Sequence, residues 1–408
     1  MSISYLGTIT TASTLEDCVD NSSNGYILAC ISNKVQIYNT STRSQVGSDI
    51  TTTNSTNASI CLVNNASAVV WTGTTNVDLI EISSGTKKNI AGVVALLGAA
   101  KGQQSAGDVT NNRAMSVAGQ SGTAATVSLL DGNTYTGSNF KITPLYNEST
   151  SAFTTCITLR TSDRWLVGSN MGNIYEIDHL GNVYKVLKIP QLPNTGFTRA
   201  YNAKTNTAVS QGVITGLSFD GTDLLAVTTY AGLVYIFSYS TGICLSITPF
   251  SNQGGLALPL CRASSGTTFL SGNGTYTNNV VAEFNYTTTP PQVRDTLFLD
   301  STSLVIACGC QNGIGWVARA NNKISTFSVT PISKTTISST IQYPSGTAVQ
   351  GRVIRVVDPG VGSAYVSLDT EIVAGTTSLP IESGASVIEL SIVNTGTNTV
   401  AQVTRNQT

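Results

Sequence analysis

The chain has 408 residues, 41% of them hydrophobic and only 11% charged, and its 21 Lys and Arg against 22 Asp and Glu leave a formal charge of −1. Such a chain has no basic stripe to neutralise phosphates and no polybasic segment for an anionic membrane surface, which argues against direct nucleic-acid or membrane partners. Its surface must be covered by Thr, Ser, Asn and Gly, which suit strands and tight turns and suit long helices poorly, so an all-β class is expected.

The N-terminal stretch MSISYLGTITTASTLEDCVD has no basic segment ahead of a long apolar core, and no run of roughly eighteen apolar residues occurs anywhere, so neither a Sec-type precursor nor a membrane span is expected. From there a unit recurs: an apolar run, a turn with Gly or Asn, an alternating strand, a second turn and a third short strand. The copies begin around Ile27, Val69, Met115, Leu166, Leu225, Phe269 and Val305, at steps of 42, 46, 51, 59, 44 and 36 residues. That spacing is the range of propeller repeats. A fourth strand fits in each intervening segment, such as TGLSFDG at 215–221 and FTTCITL at 153–159. The expected architecture is therefore a seven-bladed β-propeller over residues 1–329, because a lone four-stranded sheet buries neither face and stacking around an axis buries both. LLAVTT and LVIACG, with Ala226, Ala307 and Gly309, read as strands for its crowded centre.

The clearest copy is WLVGSNMGNIYEIDHLGNVYKV, Trp165–Val186. With Gly168, Gly172, Ile174, Tyr175, Ile177, Asp178 and Gly181 in place, it resembles the propeller repeats of the quinoprotein and WD types. The resemblance implies the propeller scaffold. It implies no redox chemistry, because Cys308 and Cys310 are not a vicinal pair and only three Trp occur, and no Trp-Asp pair ends a strand. Two less regular stretches, Lys101–Asn112 and Lys188–Gly212, read as loops projecting from a propeller face, where contacts form. After residue 329 the repeat stops. Five or six alternating segments within 330–408, from which Cys, Trp and Met have vanished, read as a small C-terminal β-sandwich that anchors or oligomerises.

Candidate chemistry is sparse. The one histidine, His179, sits in the turn DHLGN and reads as a turn residue, which removes triads and multi-His metal sites. Glu176 and Asp178 lie two apart on a strand, but nothing in the pattern sets them, or Asp78, across a cleft as glycoside hydrolysis requires. Asp131, Asp220 and Asp223 read as turn acids, and the loop at Asp220–Asp223 falls short of a calcium motif. The eight Cys, at 18, 30, 61, 156, 244, 261, 308 and 310, read as free thiols, and the Asn-x-Ser/Thr triplets as products of composition. Tyr135, Tyr146, Tyr201 and Tyr276 read as strand or loop anchors rather than sugar platforms. No catalytic residue, cofactor or metal is expected.

A β-rich, charge-poor chain of this kind resembles, in overall style, the virion structural proteins of tailed bacteriophages, which assemble in the host cytoplasm into tails, fibres or capsid decorations. That resemblance implies other virion structural proteins and further copies of this chain as partners. A carbohydrate-binding adhesin, using the two loops on a host-surface glycan, is the alternative reading, and a propeller glycosidase a third.

Overall fold

The computed structural model describes residues 3–53, 59–72, 76–93, 103–117, 125–148, 152–190, 213–229, 233–249, 303 and 305–329, and also, in backbone, the strands between 260 and 298 and between 334 and 404. Its strands are β1 (Ile3–Thr10); β2 (Leu15–Asn21), β3 (Tyr26–Ile31), β4 (Lys34–Asn39) and β5 (Ile50–Thr51); β6 (Ser59–Asn64), β7 (Ser67–Trp71), β8 (Asn76–Glu81) and β9 (Lys87–Ala91). Next come β10 (Ser105–Asp108), β11 (Arg113–Val117), β12 (Thr126–Asp131) and β13 (Thr136–Lys141), a short helix α1 (Thr143–Glu148), then β14 (Thr154–Thr161), β15 (Arg164–Ser169), β16 (Asn173–Ile177) and β17 (Val183–Lys188). There follow β18 (Ile214–Phe219), β19 (Leu224–Thr229), β20 (Leu233–Ser238) and β21 (Ile243–Pro249); β22 (Leu260–Arg262), β23 (Thr268–Gly272), β24 (Val280–Asn285) and β25 (Gln292–Phe298); and β26 (Val305–Gln311), β27 (Ile314–Arg319) and β28 (Lys323–Val329). The last six are β29 (Lys334–Ile341), β30 (Val349–Val356), β31 (Tyr365–Glu371), β32 (Gly375–Glu382), β33 (Val387–Asn394) and β34 (Asn398–Thr404).

The trace forms two compact units, one of residues 5–294 and 299–328, the other of residues 1–4, 295–298 and 329–408. In the first, β2–β5, β6–β9, β10–β13, β14–β17 and β18–β21 are four-stranded sheets in chain order, called here blades 1 to 5. A closing blade has the order β26-β27-β28-β1, so the first strand of the chain completes the last sheet. The innermost strands neighbour one another in turn, β2 on β6, β6 on β10, β10 on β14 and β14 on β18, and β26 returns to β2. The fold is thus an all-β propeller. Where seven blades were expected, six are found; between β18 and β26 a further sheet, β22–β25, is described in backbone.

The burial pattern follows from this stacking. Second strands such as β3 (YILACI) and β19 (LLAVTT) are buried along nearly their whole length, as strands covered on both faces must be, whereas the outermost β9, β13 and β17 are half exposed or more. The core is split among the seams. Ile9, Ile27, Ala29, Trp316 and Ile324 join the closing blade to blade 1; Leu28, Val35, Ile60 and Ile80 join blades 1 and 2; Val63, Trp71, Ala114 and Leu130 join blades 2 and 3. Met115, Leu129, Trp165 and Tyr175 join blades 3 and 4, and Leu166, Leu187, Ile214 and Phe237 join blades 4 and 5. Each fully buried aliphatic or aromatic side chain is worth roughly 1.5–3 kcal/mol.

A second device repeats at the rim. Gly181, at φ +82 in the β16–β17 turn, lies against Phe140 of β13, and Gly242, at φ +73 in the β20–β21 turn, lies against Leu187 of β17. In each case the outer turn of one blade rests on a side chain from the outer strand of the blade before it. Both positions require a left-handed backbone and leave little room for a Cβ, so glycine is dictated twice over.

Three further expectations are corrected. Of the two apolar runs assigned to the centre, LLAVTT is the second strand β19, and the segments TGLSFDG and FTTCITL hold the innermost β18 and β14; LVIACG, from Val305 on, does lie in the innermost β26. The seventh copy is out by one strand, because Val305 opens the innermost β26, whereas the other copies begin on second strands, as Phe269 does on β23; β27 is the true counterpart, and the anomalous step of 36 disappears. Within Lys101–Asn112, Ser105–Asp108 is no projecting loop but β10, the innermost strand of blade 3. Its small residues hide it: a Cβ on Gly107 would come 1.5 Å from the carbonyl oxygen of Leu62. Residues 191–212 of the other expected loop lie outside the described residues.

In the second unit the strands are antiparallel, β29 with β32 and four more in the order β31-β30-β33-β34. Two antiparallel sheets are a coarser result than the sandwich expected there.

Candidate functional site

A network of charged residues links the first and third turns of blades 3 to 5. Arg113 opens β11 and stands in register with Asp131, which ends β12. Its guanidinium reaches Asp131 Oδ2 at 3.3 Å and Asp163 Oδ1, across the seam in the β14–β15 turn of blade 4, also at 3.3 Å. That turn is held in place by a buried group: Asp163 N donates to Asp108 Oδ2 at 2.7 Å, and the same carboxylate accepts from Asn111 Nδ2 at 2.7 Å. His179 Nδ1 lies 2.6 Å from Asp163 Oδ1, so the lone histidine is tied to the neighbouring turn.

Toward blade 5 the network continues through buried Glu176. Arg160 Nη1 donates to Glu176 Oε1 at 2.8 Å, and the Tyr239 hydroxyl donates to Glu176 Oε2. Arg160 also stacks over the Tyr239 ring, its Cζ 4.5 Å from the centroid, and Lys185 Nζ sits over the same ring at 4.5 Å and donates to the Ser240 carbonyl at 3.1 Å. Burial, with the hydrogen bond to Glu176, pushes the Tyr239 phenol well above its usual range. At the surface, the Arg164 guanidinium lies 3.7 Å from the centroid of Tyr184, whose hydroxyl donates to Asp178 Oδ2 at 2.9 Å. Tyr184 and its neighbour Leu180 are more than half exposed, at 54% and 62%. An exposed tyrosine locked between an arginine and an acid is a rigid amphipathic contact of the kind that dominates binding interfaces.

The acids weighed for catalysis hold turns and side chains in place. Asp178 accepts backbone N–H groups of Leu180 and Asn182 at 2.8 and 2.9 Å; desolvation works to raise its pKa, but hydrogen bonds from Asn182, Tyr184 and Leu180 outweigh it and hold the carboxyl below the usual range. Asp131 likewise accepts the backbone N–H groups of Asn133 and Thr134, and Asp220 accepts those of Thr222, Asp223 and Leu224. Asp223 accepts from Ser238 Oγ and Ser240 N, and Asp78 from Thr53 N and Oγ1. Glu176 and Asp178 therefore face different partners.

A cavity of about 310 Å³ opens at the ring's centre, lined by Asp17, Asp20, Cys61, Gln103, Ser105, Thr158 and Cys308 among others. Gln103 spans part of it, its side-chain amide exchanging hydrogen bonds with the backbone of Leu217 at 2.7 and 2.9 Å while its backbone carbonyl accepts from Ile157 N at 2.8 Å. Burial raises Asp20 to about 6 and the Cys61 and Cys156 thiols to about 12, so these thiols are not poised as nucleophiles. Among the described residues no group of three His, Cys, Asp or Glu is placed to hold a metal ion, and no helix is long and apolar enough to cross a membrane.

No family model matches the sequence, and no curated protein matches it. Solved structures match the fold. A chain in the crystal structure of the mitotic checkpoint complex aligns over 80% of this chain and 92% of its own length, with a TM-score of 0.59 at 12% identity. The β-propeller domain of Myceliophteria thermophila Cps50 (Swd1) aligns over 80% of this chain and 100% of its own, with a TM-score of 0.60 at 13% identity. The fold is that of a β-propeller with WD-like neighbours.

Tyr135 and Tyr146 are exposed, each with a lysine over one ring face, Lys88 Nζ at 3.4 Å and Lys141 Nζ at 4.7 Å. Tyr201 lies outside the described residues, as do Tyr276 and the side chain of Cys261; the other seven Cys are in no disulfide among the described residues. Sequence reasoning missed the lattice as a whole. Its signal was present in the parallel between NNRA at 111–114 and SDRW at 162–165, which set an arginine at the start of the second strand in two successive blades.

Proposed function

We propose that this protein is a non-enzymatic β-propeller scaffold that binds other proteins through the face of blades 3 to 5. The observation that carries the reading is Tyr184, exposed yet fixed between Arg164 and Asp178, beside Leu180 and above a network of ion pairs, hydrogen bonds and cation–π contacts that reaches from blade 3 to blade 5. A rigid aromatic anchor with a charged surround loses little entropy on binding. One of the structural neighbours is itself a chain of a protein assembly, which is in keeping with this use of the fold. Cross-linking and mass spectrometry on the full chain in its native host should place partner peptides near Lys185 and Lys188, and Tyr184→Ala with Leu180→Ala should remove them. Cross-links confined to other blades would sink the proposal.

The charge-poor Thr/Ser/Asn/Gly surface favours a narrower form of the same reading: a seven-sheet ring in a bacteriophage particle, with a C-terminal sandwich that anchors or oligomerises it. Mass spectrometry of purified particles tests it, since absence of the chain from them ends that form. The glycan-binding reading is weakened by Tyr135 and Tyr146, each with one ring face already taken by a lysine.

A further inference from the structure

Every blade of a propeller ends in an outermost strand whose outward row of N–H and C=O groups has no partner in its own sheet. Such edges invite pairing with another chain unless they are short, charged or covered. The described outer strands use all three protections. In blade 1, β5 is two residues long. In blades 2, 3 and 4 the outer strands carry lysines: Lys87 and Lys88 on β9, Lys141 on β13, Lys185 and Lys188 on β17. In the closing blade β1 is uncharged, but Arg43 lies across it, so close that a Cβ on Gly7 would meet its Nε at 2.9 Å.

Among the described residues, blade 5 shows none of these protections. Its outer strand β21 reads ICLSITP, seven residues without a charge, and Ile243 and Leu245 are exposed at 59% and 40%. Cys244 and Ile247 turn inward, against the core shared with blade 4.

We propose that the outward edge of β21 is a self-association surface, on which β21 of a second copy adds as a fifth strand about a two-fold axis. Charge decides for a second copy. A two-fold pairing sets a strand against itself, so β9 or β17 would bring lysine toward lysine, whereas β21 brings only uncharged residues together. Size sets the strength. A seven-residue strand pair with two exposed aliphatic side chains on each copy falls short of the roughly 1,200 Å² of a stable interface, so the dimer is concentration-dependent. This inference does not rest on the partner-binding face of blades 3 to 5, and its test touches none of that face's residues.

The experiment is sedimentation velocity on the full chain from about micromolar to several hundred micromolar. The wild type should pass from monomer to dimer with rising concentration. Leu245→Lys should weaken association at least tenfold with its circular dichroism unchanged, while Val186→Lys on β17 leaves it as it was. Should Leu245→Lys misfold, amide exchange on the wild type replaces it: β21 amides should slow with concentration and those of β9 should not. A monomer throughout, or association indifferent to Leu245→Lys with β21 amides unprotected, overturns the proposal.

Discussion

The seam between blades 1 and 2 and the seam between blades 3 and 4 close the same ring by different means. The first is aliphatic, with Leu28, Val35, Ile37, Ile60, Val70 and Ile80 at its centre, and its cross-seam polar links are few and inward, such as Asp17 accepting from Ser59 Oγ at 2.6 Å and Ile60 N at 3.0 Å. The second packs Trp165 and Tyr175 against Met115 and Leu129 and then lays a charged lattice over them at the turns. Since the first seam closes without cross-seam ion pairs among the described residues, the charges of the second are more than ring closure requires. Surplus ordered charge at a rim, around an exposed tyrosine, is what a contact face needs.

That contrast can be broken from the core outward. Trp165→Ala removes the largest side chain of the 3/4 seam, fully buried, and should cost about 3–5 kcal/mol in denaturant unfolding. A loss under about 1 kcal/mol would mean that the lattice, not the core, holds this seam. Asp20 should act in the opposite direction. Its folded pKa, raised by burial to about 6, lies above the unfolded value, so the native state takes up a proton first and stability rises as pH falls from about 7 toward 4. Asp20 borders the central cavity, so Asp20→Asn should stabilise the protein by roughly 1–2 kcal/mol at pH 7 and flatten that limb of the pH profile. Below about pH 4 the sign reverses, because Asp131 and Asp178, held below their usual range, become protonated and their turn-capping contribution is lost.

Gly181→Ala tests the rim. Strain at φ +82 and contact with Phe140 Cβ at 3.0 Å should together cost about 1–2 kcal/mol by thermal unfolding, and Ser in its place should cost as much. The smallest effect belongs to Lys34 and Asp49, paired at 3.0 Å within blade 1 with the lysine side chain 39% exposed. Lys34→Met should change stability by less than about 0.5 kcal/mol, and salt titration should leave that difference unaltered within error.

The propeller was legible because one hairpin pattern returns along the chain, and a repeated apolar strand, turn and alternating strand has few other ways to bury itself. The slip at Val305 has the same origin: innermost and second strands form a hairpin as good as second and third, so periodicity locates the blade but not its first strand. β10 escaped notice because the crowded centre admits Ser105, Ala106 and Gly107, residues that read as a loop. The lattice was half legible. Arg113 with Asp131 follows from strand register, whereas the approach of His179 to Asp163 depends on how two turns of one blade come together, which no spacing in the chain encodes.

The pairing of β1 with β28 also has a consequence in time. Thr11 N meets the Asn322 carbonyl at 2.9 Å and Thr326 Oγ1 meets the Gly7 carbonyl at 3.0 Å, contacts that join residues more than 300 positions apart. At a synthesis rate of roughly 5–20 residues per second, the opening strand leaves the ribosome about 15–60 s before its partner exists. Throughout that interval an uncharged, strand-forming segment is without its sheet, and whatever shelters it on the nascent chain decides how much of the protein is lost to aggregation.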